Sequence, residues 1–284
     1  MAPGLLRNGL AAIRPVRRVG PRANLMHQLS LKCLGVGDGW PSERNHASFL
    51  YELGERKILI DCGEPISRSL YQSGIDYDSI DDIFLSHLHF DHIGGFFMLM
   101  QSLWLKGRRK DLSVHLPADG IGPIRQLLNA GCLFAELIPF KLRFEPLQPR
   151  EPVLAGKARI TPFPTTHLET FREQFKGQYP QQYAAFCFLI EAQELRVGHS
   201  ADLGAPEDLL PLFERPLDLL VCELAHMAPE KLFRFLRKRP VKRIVFVHLS
   251  QKQWEQRKQL HALATSHLGQ VELLFASDGS EINI

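Results

Sequence analysis

Phe84-Leu85-Ser86-His87-Leu88-His89-Phe90-Asp91-His92-Ile93-Gly94-Gly95 places three histidines and one aspartate within six positions, directly after an apolar run. Side chains alternate along an extended backbone, so His87 and His89 point the same way and both imidazoles reach one cation. Asp91 and His92 come one turn later, where a helix is expected to begin, and reach a second cation beside the first. Gly94-Gly95 is expected to let the backbone turn tightly there. A lone histidine is ordinarily a core or surface residue. Four ligand-type side chains in the pattern HxHxDH are a metal-binding arrangement.

One cluster cannot close two metal sites, so further donors must arrive from elsewhere, each at the end of an apolar strand. Arg159-Ile160-Thr161-Pro162-Phe163-Pro164-Thr165-Thr166-His167 ends in a histidine, and Leu195-Arg196-Val197-Gly198-His199-Ser200-Ala201-Asp202 ends in an aspartate. Ile244-Val245-Phe246-Val247-His248 ends in another histidine. Lys57-Ile58-Leu59-Ile60-Asp61-Cys62-Gly63 has the same form, with Asp61 a candidate for orienting a ligand rather than binding metal itself. Leu219-Leu220-Val221-Cys222-Glu223-Leu224-Ala225-His226 is surplus to the ligand count and offers Glu223 and His226 beside the site.

The chain around these motifs has 284 residues, 34 Lys+Arg against 31 Asp+Glu, and 45% hydrophobic content, a composition that excludes disorder, collagen and coiled coil as its main architecture. The first 25 residues carry Arg7, Arg14, Arg17, Arg18 and Arg22 and no acid. They read as a basic leader outside the fold: a tail, an organelle transit peptide, or an over-extended reading frame whose start is Met26. From residue 26 to 284 no linker divides the chain, and a single α/β domain is expected. Strands are expected near 28–34, 47–53, 57–61, 83–86, 111–115, 158–164, 184–191, 194–198, 217–222, 243–248 and 271–276. Helices are expected near 64–74, 92–106, 119–129, 206–213, 228–238 and 251–267, and 139–157 reads as a long surface connection.

No apolar run reaches the ~20 residues that cross a bilayer. The five cysteines lie far apart without a CxxC pair and read as reduced thiols of a cytoplasmic protein. The basic stretch from Lys231 to Arg243 reads as the solvated side of an amphipathic helix, and Lys106, Arg108, Arg109 and Lys110 as a solvated loop. His27, His46, His115, His261 and His267 read as surface or structural, with His46 kept in view because a glycine loop precedes it. Phe171, Phe175, Tyr179 and Tyr183 read as an aromatic flap over the site or as core.

The sequence resembles the metallo-β-lactamase superfamily, and within it the ribonuclease Z-like branch. HxHxDH carries the superfamily likeness. Cys33-Leu34-Gly35-Val36-Gly37-Asp38-Gly39-Trp40-Pro41-Ser42-Glu43-Arg44-Asn45, Ile60-Asp61-Cys62-Gly63-Glu64 and Val247-His248-Leu249-Ser250 resemble motifs of the branch. The resemblance implies a four-layer αββα sandwich with two divalent metal ions at one edge. His87, His89 and His167 would hold the first ion, Asp91, His92 and His248 the second, and Asp202 would bridge them. Imidazoles with a few carboxylates suit zinc, with manganese or iron as alternatives. The implied reaction is hydrolysis of a phosphodiester by a metal-bridging hydroxide, with His226 protonating the leaving oxygen and Glu223 orienting it.

The branch's fourth motif usually reads Gly-Asp-Thr, whereas Ala201 stands for its glycine here and His199 is a rival ligand. The long arm that tRNA-processing members use to grip tRNA is not apparent between Gly120 and Lys157. The expected substrate is therefore a small phosphodiester or an RNA 3′ end. The alternatives are a carboxylic ester, lactone or thioester hydrolase and, from another class, a non-catalytic metal- or RNA-binding protein. A homodimer is compatible with the sequence.

Overall fold

Alternation within the early strands decides how the chain layers. In β2 (Ser48–Leu53), Phe49, Tyr51 and Leu53 enter one core while Leu50 enters another. In β3 (Arg56–Ile60), Ile58 and Ile60 likewise part from Leu59. A strand buried on both faces must lie between two layers, which is why these runs read as almost continuously apolar.

The computed structural model describes residues 29–284, and the basic leader expected over residues 1–25 lies outside the described residues, as does Met26. The first sheet takes β1 (Ser30–Gly35), β2, β3, β4 (Asp82–Phe84), β5 (Leu112–Leu116) and β6 (Leu142–Pro146), with the last strand, β14 (Glu281–Asn283), returning beside β1. The second contains β7 (Val153–Ala155), β8 (Ala158–Pro164), β9 (Phe186–Ala192), β10 (Leu195–His199), β11 (Leu217–Glu223), β12 (Val241–Val247) and β13 (Glu272–Phe275), paired in that sequential order. The sheets bury Phe49, Tyr51, Phe84, Phe188, Ile190 and Val221 between them.

On the outer face of the first sheet, α1 (Ile66–Gln72), α3 (Phe96–Lys106) and α4 (Ile121–Ala130) pack Ile66, Phe96, Met100 and Ile124 over Leu50, Leu59 and Ile83. On the second, α6 (Pro229–Leu236) and α8 (Arg257–Leu268) contribute Leu232, Phe233, Leu236, Leu260 and Ala264. The expected four-layer αββα sandwich is the observed architecture. The apolar side of α6 is turned inward, as expected of the basic stretch, and Arg239 lies over the Phe235 ring at 4.4 Å.

Three expectations are corrected. Residues 139–157 are not one irregular connection but hold β6 and β7, each the edge strand of its sheet. An edge strand pairs on one side only and tolerates the prolines that obscured the pattern. The helix expected over 92–106 is split into α2 (Phe90–Ile93) and α3. Gly94 and Gly95 at the junction keep helical dihedrals. Their need is for space: a Cβ on Gly95 would lie 2.7 Å from the Gly63 carbonyl oxygen.

Arg108 belongs to no solvated loop. It is fully buried, and its guanidinium donates to the carbonyls of Lys110, Tyr77, Ile80 and Asp111 at 2.7–2.9 Å. Lys110 pairs with Asp81. No helix of the described residues is long and apolar enough to cross a membrane.

Candidate metal centre

Strands β8, β10, β11 and β12 all run in one direction, since β9 is antiparallel to both β8 and β10 while β10, β11 and β12 are mutually parallel. Their carboxyl ends therefore lie together, and the residues just beyond them are His167, Asp202, Glu223 with His226, and His248. The first sheet delivers Asp61 after β3 and His87 after β4. The one-turn helix α2 begins immediately after His89, which places Asp91 and His92 on a helical turn and His87 and His89 on extended chain, as the spacing predicts. Asp61, Ala201 and His248 have φ of 60°, 45° and 51°. A left-handed residue at a strand end reverses the chain abruptly, and such backbone clusters where a side chain must be aimed.

All seven expected ligands are brought together. His87, His89, His167 and Asp202 form one group with donor atoms within 4.8 Å of each other, and Asp91, His92, Asp202 and His248 form a second. The carboxylate of Asp202 is ringed by imidazoles, with its oxygens 3.6 Å from His87 Nε2, 3.3 Å from His92 Nε2, 3.6 Å from His167 Nε2, 3.7 Å from His226 Nε2 and 3.7 Å from His248 Nε2. Yet both Asp202 oxygens, His87 Nε2 and His92 Nε2 are buried without a hydrogen-bond partner. Buried polar atoms are seldom left so. Two donors each about 2.1 Å from one tetrahedral ion lie roughly 3.4 Å apart, so these spacings and orphaned atoms fit a pair of divalent cations sharing Asp202.

Supporting contacts aim the donors. Asp61 accepts from the Ser86 amide at 2.8 Å and the Ser86 hydroxyl at 2.9 Å, and its Oδ2 lies 2.7 Å from His92 Nδ1. This holds the proton on His92 Nδ1 and leaves Nε2 bare toward Asp202. Asp61 thus lies against His92 and Ser86, with both of its oxygens engaged there. The Ser86 hydroxyl, 3.0 Å from His87 Nδ1, does the same for His87. Burial holds His87 well below the usual histidine range, lowers His89, and takes His167 down to about 4. These imidazoles are neutral at physiological pH, as ligation requires. Burial alone would raise Asp202, but the surrounding His248 and His92 outweigh it and keep the carboxylate ionised.

His226 sits at the mouth, its ring stacked at 5.5 Å on His248. Its Nδ1 is 3.3 Å from Glu223 Oε1, while its amide donates to Glu223 Oε2 at 3.1 Å. Burial works against its charged form, but the Glu223 hydrogen bond and the Asp202 charge raise its pKa to about 9. Glu223 is buried and also accepts from the Leu203 amide at 3.1 Å.

Rival histidines go elsewhere. His199 lies between the sheets, Nδ1 2.9 Å from the Tyr51 hydroxyl, and burial drives its pKa down to about 3. His46 Nδ1 holds the Asp38 carbonyl at 2.7 Å. His115 is buried and stacked on Phe84 at 4.5 Å. The stretch after His167 forms the short helix Glu169–Phe175, which sets the Phe171 ring 6.0 Å from His89. Ser86 and Asp208 went unnoticed in the sequence. Ser86 is visible only as the residue before the motif, and Asp208 leaves no local signal.

Ala201 offers a direct stability test, because a non-glycine residue with φ of 45° is strained. Replacing it with glycine removes about 1–2 kcal/mol of left-handed strain against roughly 0.5–1 kcal/mol of added chain entropy. Ala201→Gly should raise the urea midpoint slightly, by a net of about 0.5–1 kcal/mol. A lowered midpoint would mean the Ala201 methyl contributes more by packing than its backbone costs.

Residues 29–268 match a family model described as anti-Pycsar protein Apyc1. A ribonuclease Z of Bradyrhizobium diazoefficiens is 34% identical over 179 residues, covering 63% of this chain and 56% of that protein. The chain thus matches little more than half the length of this curated relative. Among solved structures, the metallo-β-lactamase fold protein YhfI of Bacillus subtilis superposes with a TM-score of 0.72 at 20% identity, over 90% of this chain and 99% of that one. The short form of human tRNase Z gives 0.68 at 18% identity, over 90% and 99%. The fold, the clustered motif residues and the extent of the family match together place this chain in the anti-Pycsar protein Apyc1 family, within the ribonuclease Z-like branch of the metallo-β-lactamase superfamily.

Proposed function

We propose that the chain is a dinuclear metal-dependent hydrolase acting on a phosphodiester, with zinc as the first choice of metal and manganese or iron as alternatives. The observation that carries this reading is the buried Asp202 carboxylate, unpartnered and ringed by imidazoles, two of which, His87 and His92, turn equally unpartnered Nε2 atoms toward it. His87, His89 and His167 would hold one ion, Asp91, His92 and His248 the other, and Asp202 both. When bound, such a pair supplies a water acidified toward neutrality and positive charge to offset that developing on phosphoryl oxygens. A relative named ribonuclease Z, an enzyme type that cleaves phosphodiesters, supports the choice of bond.

The chain's own residues do the rest. Neutral His87, His89 and His167 present bare nitrogens. Asp61 keeps His92 in the tautomer that points Nε2 inward. His226, held by Glu223 and open to solvent on one side, is placed to give a proton to a departing alkoxide. Phe90 and Phe171 are both exposed, one between two of the ligands and the other edge-on to His89, so the group beyond the scissile bond meets apolar surface. Such rings suit stacking on a base, which either a small phosphodiester or an RNA 3′ end can present. All five cysteines are unpaired thiols, which supports a cytoplasmic setting.

Metal-loaded protein should turn over bis(p-nitrophenyl) phosphate, with Asp91→Ala inactive. Cleavage of p-nitrophenyl acetate without any diester turnover would overturn the assignment in favour of an ester hydrolase. The acid role has its own signature. His226→Ala should lower kcat by roughly 10²–10⁴ on a diester with an alkoxide leaving group, but far less on bis(p-nitrophenyl) phosphate, whose p-nitrophenolate leaves without a proton. Equal losses on both substrates would assign His226 to metal or substrate binding instead.

A further inference from the structure

His167 and Asp202 reach the centre on loops that follow β8 and β10, strands separated by β9. Sheet hydrogen bonds therefore do not join the two loops directly. One buried carboxylate does. Asp208 Oδ2 accepts from the Thr166 amide at 3.0 Å, from the Gly204 amide at 2.9 Å and from the Ala205 amide at 3.2 Å. The Thr166 hydroxyl lies 3.1 Å and 3.0 Å from its two oxygens. Thr166 immediately precedes His167, and Gly204 follows Asp202 by two residues. The Thr165 hydroxyl adds a bond to the Asp202 carbonyl at 2.9 Å. Gly204 is pressed so closely on Thr166 that a Cβ there would lie 2.4 Å from the threonine oxygen.

Asp208 is 9% exposed, and no lysine, arginine or histidine pairs with it among the described residues. A buried carboxylate without a cation is costly, and it is tolerated here because backbone amides converge on it. Part of its role is local, since its side chain accepts the Ala205 amide at the start of the turn Pro206–Glu214. Its position between two ligand loops supplies the other part.

We propose that Asp208 is a positioning residue that sets the distance between His167 and Asp202, and with it the hold on the ion shared by His87, His89, His167 and Asp202. The inference rests on the dinuclear reading above. It predicts an asymmetry. The other group shares Asp202, but its remaining donors, Asp91, His92 and His248, are anchored separately, by Asp61 on His92 at 2.7 Å and by the His248–Asp91 contact at 3.3 Å, whereas the first ion depends on both clamped loops. Loosening the Asp208 clamp should therefore release one ion and spare its neighbour.

The test is competition for zinc. Full-length protein loaded with zinc is titrated with a chromogenic chelator, and melting is recorded with and without zinc. In Asp208→Asn, one of the two ions should be lost at a chelator concentration at least about tenfold lower than in the wild type, the low end of the effect of removing a ligand's orienting partner. The second ion should be released as before, and the zinc-dependent rise in melting temperature should shrink. Thr166→Val, which loses only the hydroxyl contacts, should move the same way by less, and Thr166→Ser should restore wild-type release.

Should Asp208→Asn fail to fold, Thr166→Val against Thr166→Ser decides alone. Wild-type release of both ions from the folded variants would overturn the proposal. So would equal loosening of both ions, the mark of a purely structural role. A wild-type chain that takes up none of zinc, manganese or iron would sink the dinuclear reading and this inference with it, an outcome distinct from the other two.

Discussion

Asp202→Ala should lose both metal ions and reduce kcat/KM on a phosphodiester by about a thousandfold or more, because the several kcal/mol that two metal ions supply to a developing charge disappear together. Imidazole nitrogens of His87, His92, His167, His226 and His248 lie 3.3–3.7 Å from this one carboxylate. Removing it takes a donor from both clusters and also takes away the negative charge that keeps a packed group of histidines compatible with nearby cations. Variants on one side of the centre should be milder: His167→Ala leaves Asp91, His92, Asp202 and His248 in place for the second ion. Metal analysis of the purified variants checks the difference. If Asp202→Ala retained two ions and near-normal turnover, the carboxylate would not be shared, and the reaction would have to be assigned to another arrangement.

Arg108→Met should destabilise the domain by roughly 3–5 kcal/mol, since several buried carbonyls lose a charged donor at once and each orphaned group costs about 1–3 kcal/mol before relaxation. At about 2–4 °C per kcal/mol for a domain of this size, the melting temperature should fall by roughly 6–20 °C. The guanidinium joins the segment around Tyr77 and Ile80 to the turn that leads from α3 into β5. Methionine follows the arginine side chain out to its ε position and keeps that part of its apolar packing, so the loss reports mainly the hydrogen bonds, with a smaller share from the space the guanidinium leaves near the Phe140 ring. Turnover at low temperature should be near normal, because Arg108 makes no contact with the metal centre. A melting temperature within a degree or two of wild type would mean that water replaces the guanidinium at little cost.

The alternation of apolar residues through β2 and β3 made the layered sheets legible before any coordinates, because a side-chain period of two with both phases apolar has few solutions other than a strand covered on both faces. The edge strands β6 and β7 were not legible. They pair on one side, tolerate proline and need little apolar content, so their local signal resembles that of a loop. Arg108 escaped for a related reason: it sits in a basic run of the kind that is normally solvated, and only the carbonyls gathered around it in space reveal that it is enclosed.

At the centre, the donor types and the HxHxDH spacing are chemistry written into consecutive residues, and so the sequence by itself determined which side chains are equipped to bind cations and that His87 and His89 would point together. The recurrence of apolar strand followed by a histidine or aspartate also marked His167, Asp202 and His248. Only the tertiary structure decided that Asp202 lies at the middle of five imidazoles, that His199 is withdrawn between the sheets against Tyr51, and that Asp208 ties the loops of His167 and Asp202. The reason is that residue type and spacing act over a few positions, whereas Asp202 and His87, or Asp208 and Thr166, meet only after strands distant in sequence have aligned their carboxyl ends and buried their amides.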